Sequence, residues 1–194
     1  GPKIVHAACW AHARRKFFEA AKLDPGDVVA VRMVAWIDEL FGIDAEARER
    51  KLDHAGRHAL RLERATPLLA TISEEIETVR TSALPSSALG RAAKYTLSLW
   101  RKLTRFLEYP ELELSNNLAE NSMRPVALGR KNWIHVGSKD AGPKVAAIAS
   151  IVETCRRLKI PIREYLAGVL PGMADVSIQR LGGLTPAAWA ARQQ

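Results

Sequence analysis

Apolar positions recur at helical spacing along most of this chain. Trp10, Ala13, Phe17, Ala20 and Ala21 fall on one helical face, with Arg14, Arg15 and Lys16 around the remainder. Pro25-Gly26 ends that element. Residues 27–82 predict two or three further helices, the first with an inward stripe of Val28, Val31, Val34, Ala35 and Leu40. The charged run Glu46 to Arg64 reads as a solvated helical surface. Thr66-Pro67 predicts a helix start, with Leu68, Leu69, Ile72, Ile76 and Val79 facing inward. After the Pro-Ser-Ser break at 85–87 another helix runs to about Tyr109, burying Leu89, Ala93, Leu97, Trp100, Leu103 and Leu107, and Tyr109-Pro110 stops it.

Strand signals are few. Lys3 to Cys9 is a short apolar run with β-branched residues, Glu111 to Leu114 alternates, and Trp133 to Val136 forms a third candidate. Ser115 predicts the N-cap of a short helix carrying Asn117 to Met123, which Pro125 breaks or kinks. Pro143 opens a long helix through Lys159, Pro161 another through Leu170, and Thr185-Pro186 a short last one. The expectation is a mainly α chain with a little strand.

Charge changes this picture by being uneven. The net charge of +8 divides into +4 over residues 1–23, −4 over 24–82 and +8 over 83–194. Basic flanks around an acidic middle are what a chain meeting a polyanion through its flanks would carry, although many basic proteins bind nothing acidic. Cys9 and Cys155 are too few and too separated for a disulfide framework and fit a reducing compartment. No run approaches the ~20 apolar residues of a membrane span, and no signal peptide opens the chain. It begins Gly1-Pro2 without Met, which reads as part of a longer polypeptide.

The candidate chemistry concentrates in Leu114 to Ser138. Glu120 sits among Asn116, Asn117, Asn121, Arg124, Arg130, Lys131 and Asn132. A carboxylate among amides, followed by cations, suits a site that holds a metal ion and handles phosphates. An acid early in a helix is also fully accounted for by the helix dipole, and one glutamate is not a two-metal site. Asp24, Asp27, Asp38 and Asp44 read as surface acids, and Asp140 as a turn residue. In Gly129-Arg-Lys-Asn-Trp133 the cations suit phosphate oxygens and the amide a base or phosphate, whereas Trp133 reads as a core residue. His6, Cys9 and His12 have zinc-like spacing without a fourth ligand, so His12-Ala-Arg-Arg-Lys is read as a basic helix start beside a phosphate-binding groove.

Taken together, Cys9-Trp-Ala-His-Ala-Arg-Arg-Lys-Phe17, Asn116-Asn117-x-Ala-Glu120-x-x-x-Arg-Pro125-x-x-x-Gly-Arg-Lys-Asn-Trp133 and Gly137-Ser138 resemble the transposase of bacterial insertion-sequence family sixty-six, from about Lys3 to Leu170. That resemblance implies a DDE-type enzyme that cuts and joins transposon DNA by metal-dependent hydrolysis and transesterification. The implied fold is mainly α with a partial ribonuclease H-like core: residues 1–23 as the end of the sheet and a basic helix, 24–108 as a helical insertion, 109–170 as the C-terminal part of the catalytic core, and 171–194 as a peripheral tail. Glu120 matches the third acid, a ligand for Mg²⁺ or Mn²⁺, with the first two aspartates expected upstream of Gly1, so that this chain alone would be inactive. Arg14, Arg15, Lys16, Arg124, Arg130, Lys131 and Asn132 would hold DNA, supported by Asn116, Asn117 and His12. Implied partners are transposon ends and target DNA, further copies of the chain and accessory transposition proteins, in the cytoplasm and away from membranes. Asn121 and Ser122 after Glu120, and Lys-Asp-Ala-Gly-Pro at 139–143, depart from the family pattern. The other reading is a non-catalytic helical module that binds DNA or protein.

Overall fold

Several helix starts in this chain are set by short polar side chains that satisfy the first free backbone N–H groups. Asp27 accepts from the Ala30 N–H at 2.9 Å, Asp53 from Gly56 at 2.8 Å and Ser87 from Gly90 at 3.0 Å. The computed structural model describes residues 4–133 and 137–193, and for 130–133 the backbone alone. Its helices are α1 (Trp10–Leu23), α2 (Val28–Glu49), α3 (His54–Leu60), α4 (Thr66–Ser82), α5 (Ala88–Leu103), α6 (Asn117–Trp133), α7 (Ala141–Arg157), α8 (Ile162–Val169) and α9 (Pro186–Ala191). The protein is mainly helical, with no strand among the described residues. Nor is any described helix long and apolar enough to cross a membrane.

The chain divides into two units, Gly1–Leu118 and Ala119–Gln194. In the first, α1 packs against α2 and α5, and α4 against α5. Their inward faces make one core that includes Trp10, Phe17, Met33, Ile37, Ile72 and Ile76. Trp10 is fully buried; its indole N–H donates to the Leu103 carbonyl at 2.9 Å, and its ring meets Trp100 edge-on at 5.9 Å. A Cβ at Gly90 would lie 2.3 Å from the Leu84 carbonyl oxygen, so the first turn of α5 closes on that carbonyl only because residue 90 has no side chain. Gly90→Ala is therefore expected to lower stability by about 1–3 kcal/mol, read by urea unfolding.

Four sequence expectations are corrected here. Residues 4–9 are irregular: the Ala8 N–H bonds the Lys102 carbonyl and the Trp10 N–H the Leu114 carbonyl, and no neighbouring strand pairs with the run among the described residues. A strand exists only as part of a ladder. In α2 the buried side is Ala30, Met33, Ile37, Leu40, Ile43 and Ala47, while Val28 and Val31 are 68% and 51% exposed. The first two turns of α2 are apolar nearly all round, so periodicity cannot choose a face and packing does. Glu111 to Leu114 is a turn and irregular connection, not an extended run. Thr66-Pro67 does not start a helix from a loop, because α3 continues into α4 through a π-helical turn at Arg61–Ala65. Pro67 has no N–H for the Glu63 carbonyl and its ring crowds it, and a widened turn relieves both.

That π turn carries Arg61 into the interior. Arg61 is 1% exposed and donates to both Asp44 oxygens at 2.8 and 2.9 Å. It also donates to the carbonyls of Phe106, Pro110 and Leu112 at 2.9, 3.1 and 2.7 Å. Arg57 joins Asp44 at 2.7 Å to Glu113 at 2.9 Å. The run read as a solvated surface therefore contains a buried ion pair that holds the connection leading toward α6.

The second unit has a small core of Cys155, Ile160, Tyr165 and Val169, completed by Leu166, Leu184 and Trp189. The Tyr165 hydroxyl donates to the Leu184 carbonyl at 2.8 Å and its ring meets Trp189 edge-on at 5.8 Å. From Val145 to Val152 α7 is apolar apart from Ser150, yet Ile148 is 63% exposed, Ile151 36% and Val152 37%. A helix with that composition ordinarily lies inside a protein.

Candidate functional site

α6 is built with two faces. Asn117, Glu120, Asn121 and Arg124 follow at i, i+3, i+4 and i+7 and form one exposed polar stripe. Ser122, Val126 and Gly129 are half-buried or buried on the other side. There Ser122, Met123 and Val126 line a groove of about 490 Å³ with Val145, Ala149 and Glu153 of α7. Arg157 donates to the Ser122 hydroxyl, while Glu153 takes hydrogen bonds from Arg156 and Arg157 that hold its carboxyl below the usual range. The groove and the polar stripe thus occupy different sides of α6.

Glu120 lies in the first turn of α6, where the positive helix end favours a carboxylate. Of the break or kink expected at Pro125, the break does not occur: α6 continues to Trp133. A proline inside a helix costs about 3 kcal/mol and here cannot donate to the Asn121 carbonyl one turn earlier. The Asn121 carbonyl, next to Glu120, therefore has no i+4 N–H to accept from. The carboxylate, the Asn117 and Asn121 amides and that carbonyl are hard oxygen donors of the kind Mg²⁺ or Mn²⁺ takes. Among the described residues, however, no three His, Cys, Asp or Glu side chains come together as a metal cluster.

The remaining candidates divide between the units. In the first, Arg14 is held by Asp38, with contacts of 2.5 and 2.7 Å, and lies over the Phe18 ring at 5.9 Å. Its side chain is thus committed inside the unit more than the sequence implied. Arg15 and Lys16 are exposed, with Lys16 4.0 Å from Glu19, and His12 is half-buried in the first turn of α1. Asn116 and Asn117 are exposed. In the second unit Arg124 is exposed and has no ion pair among the described residues. Arg130, Lys131 and Asn132 form the last turn of α6, as does Trp133, which was expected to begin a strand. Their side chains, and Ile134 to Val136, lie outside the described residues.

Sequence reasoning missed the Asp44–Arg61 pair, although Arg57 and Arg61 stand at i, i+4 on a single helical stretch opposite an isolated Asp. Burial alone would raise the Asp44 carboxyl, but hydrogen bonds from Arg61 and Arg57, and their charges, hold it below its ordinary value.

Comparison with known proteins agrees with the motif. Uncharacterized protein y4hP of Sinorhizobium fredii (strain NBRC 101917 / NGR234) is 34% identical over 197 residues, covering 96% of this chain and 35% of that protein. Uncharacterized protein y4jD of the same strain is 33% identical, covering 96% and 36%. The chain spans about a third of the length of these curated relatives. No solved structure matches it. Residues 1–144 match the family described as Transposase IS66 family, and the chain belongs to that family.

Proposed function

We propose that this chain is the C-terminal part of a DDE transposase, with Glu120 as one carboxylate ligand of the metal centre. The observation that carries the reading is the exposed stripe Asn117, Glu120, Asn121 and Arg124, which sets a carboxylate and amide oxygens beside a cation on a helix that no packing requirement explains. The two aspartates that complete the centre belong to the part of the relatives that this chain does not span. When bound, Mg²⁺ activates water or a 3′-hydroxyl and stabilises the leaving oxygen. Glu120 helps hold the ion, Asn116 and Asn117 orient the carboxylate, and Arg124 offers a charge to the backbone phosphate. Arg15, Lys16, Arg130 and Lys131 grip DNA nonspecifically through its phosphates, while Asn132 bonds a base or phosphate.

The exposed apolar side chains of α7 support the finer fold reading. In the complete protein α6 and α7 form the helical layer over a ribonuclease H-like sheet, which covers Ile148, Ile151 and Val152. The test is metal removal. Cleavage of transposon-end DNA by the complete gene product is expected to vanish with EDTA and return with Mg²⁺ or Mn²⁺, and cleavage that survives chelation would contradict the reading.

A second reading is a non-catalytic helical module that binds DNA or protein. It is expected to show DNA or protein binding with no strand cleavage even in the complete gene product.

A further inference from the structure

In the first unit several surface arginines, half-buried or exposed, are matched to acids: Arg14 to Asp38, Arg32 to Glu75, Arg50 and Arg64 to Glu46, and Arg80 to Glu77. The outer face of α5 breaks that habit. Arg91, Lys94, Ser98 and Arg101 recur at i, i+3, i+7 and i+10, all exposed, with Lys102 beside them. α5 contains no Asp or Glu. Among the described residues none of these four cations lies in an ion pair; Arg91 donates to the Ser86 carbonyl and the Ser98 hydroxyl to the Tyr95 carbonyl.

Helix stability explains only half of the row. Arg101 and Lys102 sit in the last turn, where cations offset the dipole. Arg91 and Lys94 sit in the first half, where the dipole opposes them, and at i, i+3 they repel one another. The row is flanked by two grooves of about 320 Å³ each. One is lined by Lys16, Glu19 and Arg91 between α1 and α5, the other by Arg80 and Lys94 between α4 and α5. Glu19 lines the first groove and lies 4.0 Å from Lys16, and Arg80, which lines the second, is paired with Glu77. From Arg91 to Arg101 the row is about 15 Å long at 1.5 Å per residue. A DNA strand presents a phosphate about every 3.4 Å along the duplex axis, so roughly four phosphates match this row.

We infer that this face of α5, inside the segment expected as a helical insertion, is a second DNA-docking surface. It binds the phosphate backbone of a duplex independently of base sequence and apart from the Glu120 helix. The inference rests on the DNA reading above and deepens it.

The experiment is fluorescence anisotropy of a short labelled duplex of arbitrary sequence, titrated with this chain over a range of salt. Arg91→Gln/Lys94→Gln/Arg101→Gln is compared with Lys159→Gln/Arg163→Gln/Arg180→Gln, which removes equal charge from the second unit. The first variant is expected to bind on the order of tenfold more weakly at low salt. Its slope of log affinity against log salt should be shallower by about 2–3, near 0.9 per lost contact. The second variant should stay close to wild type. Because Arg91 also bonds Ser86, Lys94→Gln/Arg101→Gln preserves that contact and is expected to flatten the slope by about 2. If wild type binds and both α5 variants keep its affinity and slope, or match the charge control, the docking surface is overturned while the transposase reading stands. If wild type binds no duplex at any salt, the inference and the DNA role of this chain fall together.

Discussion

Glu120→Gln in the complete gene product is expected to reduce excision and strand transfer about a thousandfold or more, with the thermal midpoint almost unchanged. Glutamine keeps the shape and length of the side chain and removes only the charge that a metal ligand needs. Loss of a ligand that contributes several kcal/mol of charge stabilisation gives that factor, since each 1.36 kcal/mol is tenfold in rate. Glu120 is exposed, and its first-turn position adds about 0.3–1 kcal/mol through the helix dipole, a small part of the stability of the fold. Glu164→Gln, a first-turn acid of α8, is the matched control and should leave excision intact. Wild-type excision by Glu120→Gln would remove Glu120 from the chemistry.

Arg61→Met is expected to act in the opposite way, lowering stability by about 3–5 kcal/mol with no direct effect on a reacting group. Removing Arg61 strips the buried Asp44 of two hydrogen bonds and its fully buried cation, leaving Arg57 as its close partner. Here it also orphans the Phe106, Pro110 and Leu112 carbonyls, which Arg61 serves together with Asp44. Arg61→Lys should recover little, because an ammonium has no planar fork to reach both carboxylate oxygens and three carbonyls. For a chain of this size the loss lowers the melting temperature by about 10 °C or more. The pair also sets an acid limit. Asp44 has a depressed carboxyl in the fold, so its contribution is complete above the unfolded value of about 3.9 and is lost as pH falls through the lower folded value. Unfolding at neutral pH and near pH 3 should therefore give a smaller Arg61→Met penalty in acid. An unchanged penalty would mean that the carboxylate is not what Arg61 neutralises.

Much of the helical layout was legible because its signals are local. The Trp10 to Ala20 spacing, the Pro-Ser-Ser break at 85–87 and the prolines before α8 and at the start of α9 each act within a turn or two. What stayed hidden depended on distant partners. The inward face of α2 is chosen by α1 and α4, not by the periodicity of Val28 to Ala35. Arg61 is buried because a π turn aims it at Asp44 and at carbonyls some fifty residues onward, including that of Leu112. Pro125, read as a break or a kink, does not end α6, which absorbs the missing N–H and runs on to Trp133. The site was legible in another sense: Glu120 stood out through the string of residues around it, since its position alone is explained by the helix dipole. The α5 row was overlooked because its charges are spread through a helix whose buried side dominates the pattern.

The account depends on Glu120 binding the catalytic ion, and anomalous diffraction from crystals of the complete gene product grown with Mn²⁺ measures that directly. An anomalous peak about 2.0–2.2 Å from a Glu120 carboxylate oxygen, shared with two aspartates from outside this chain, is the expected result. A peak on other carboxylates, with Glu120 turned to solvent, would contradict it.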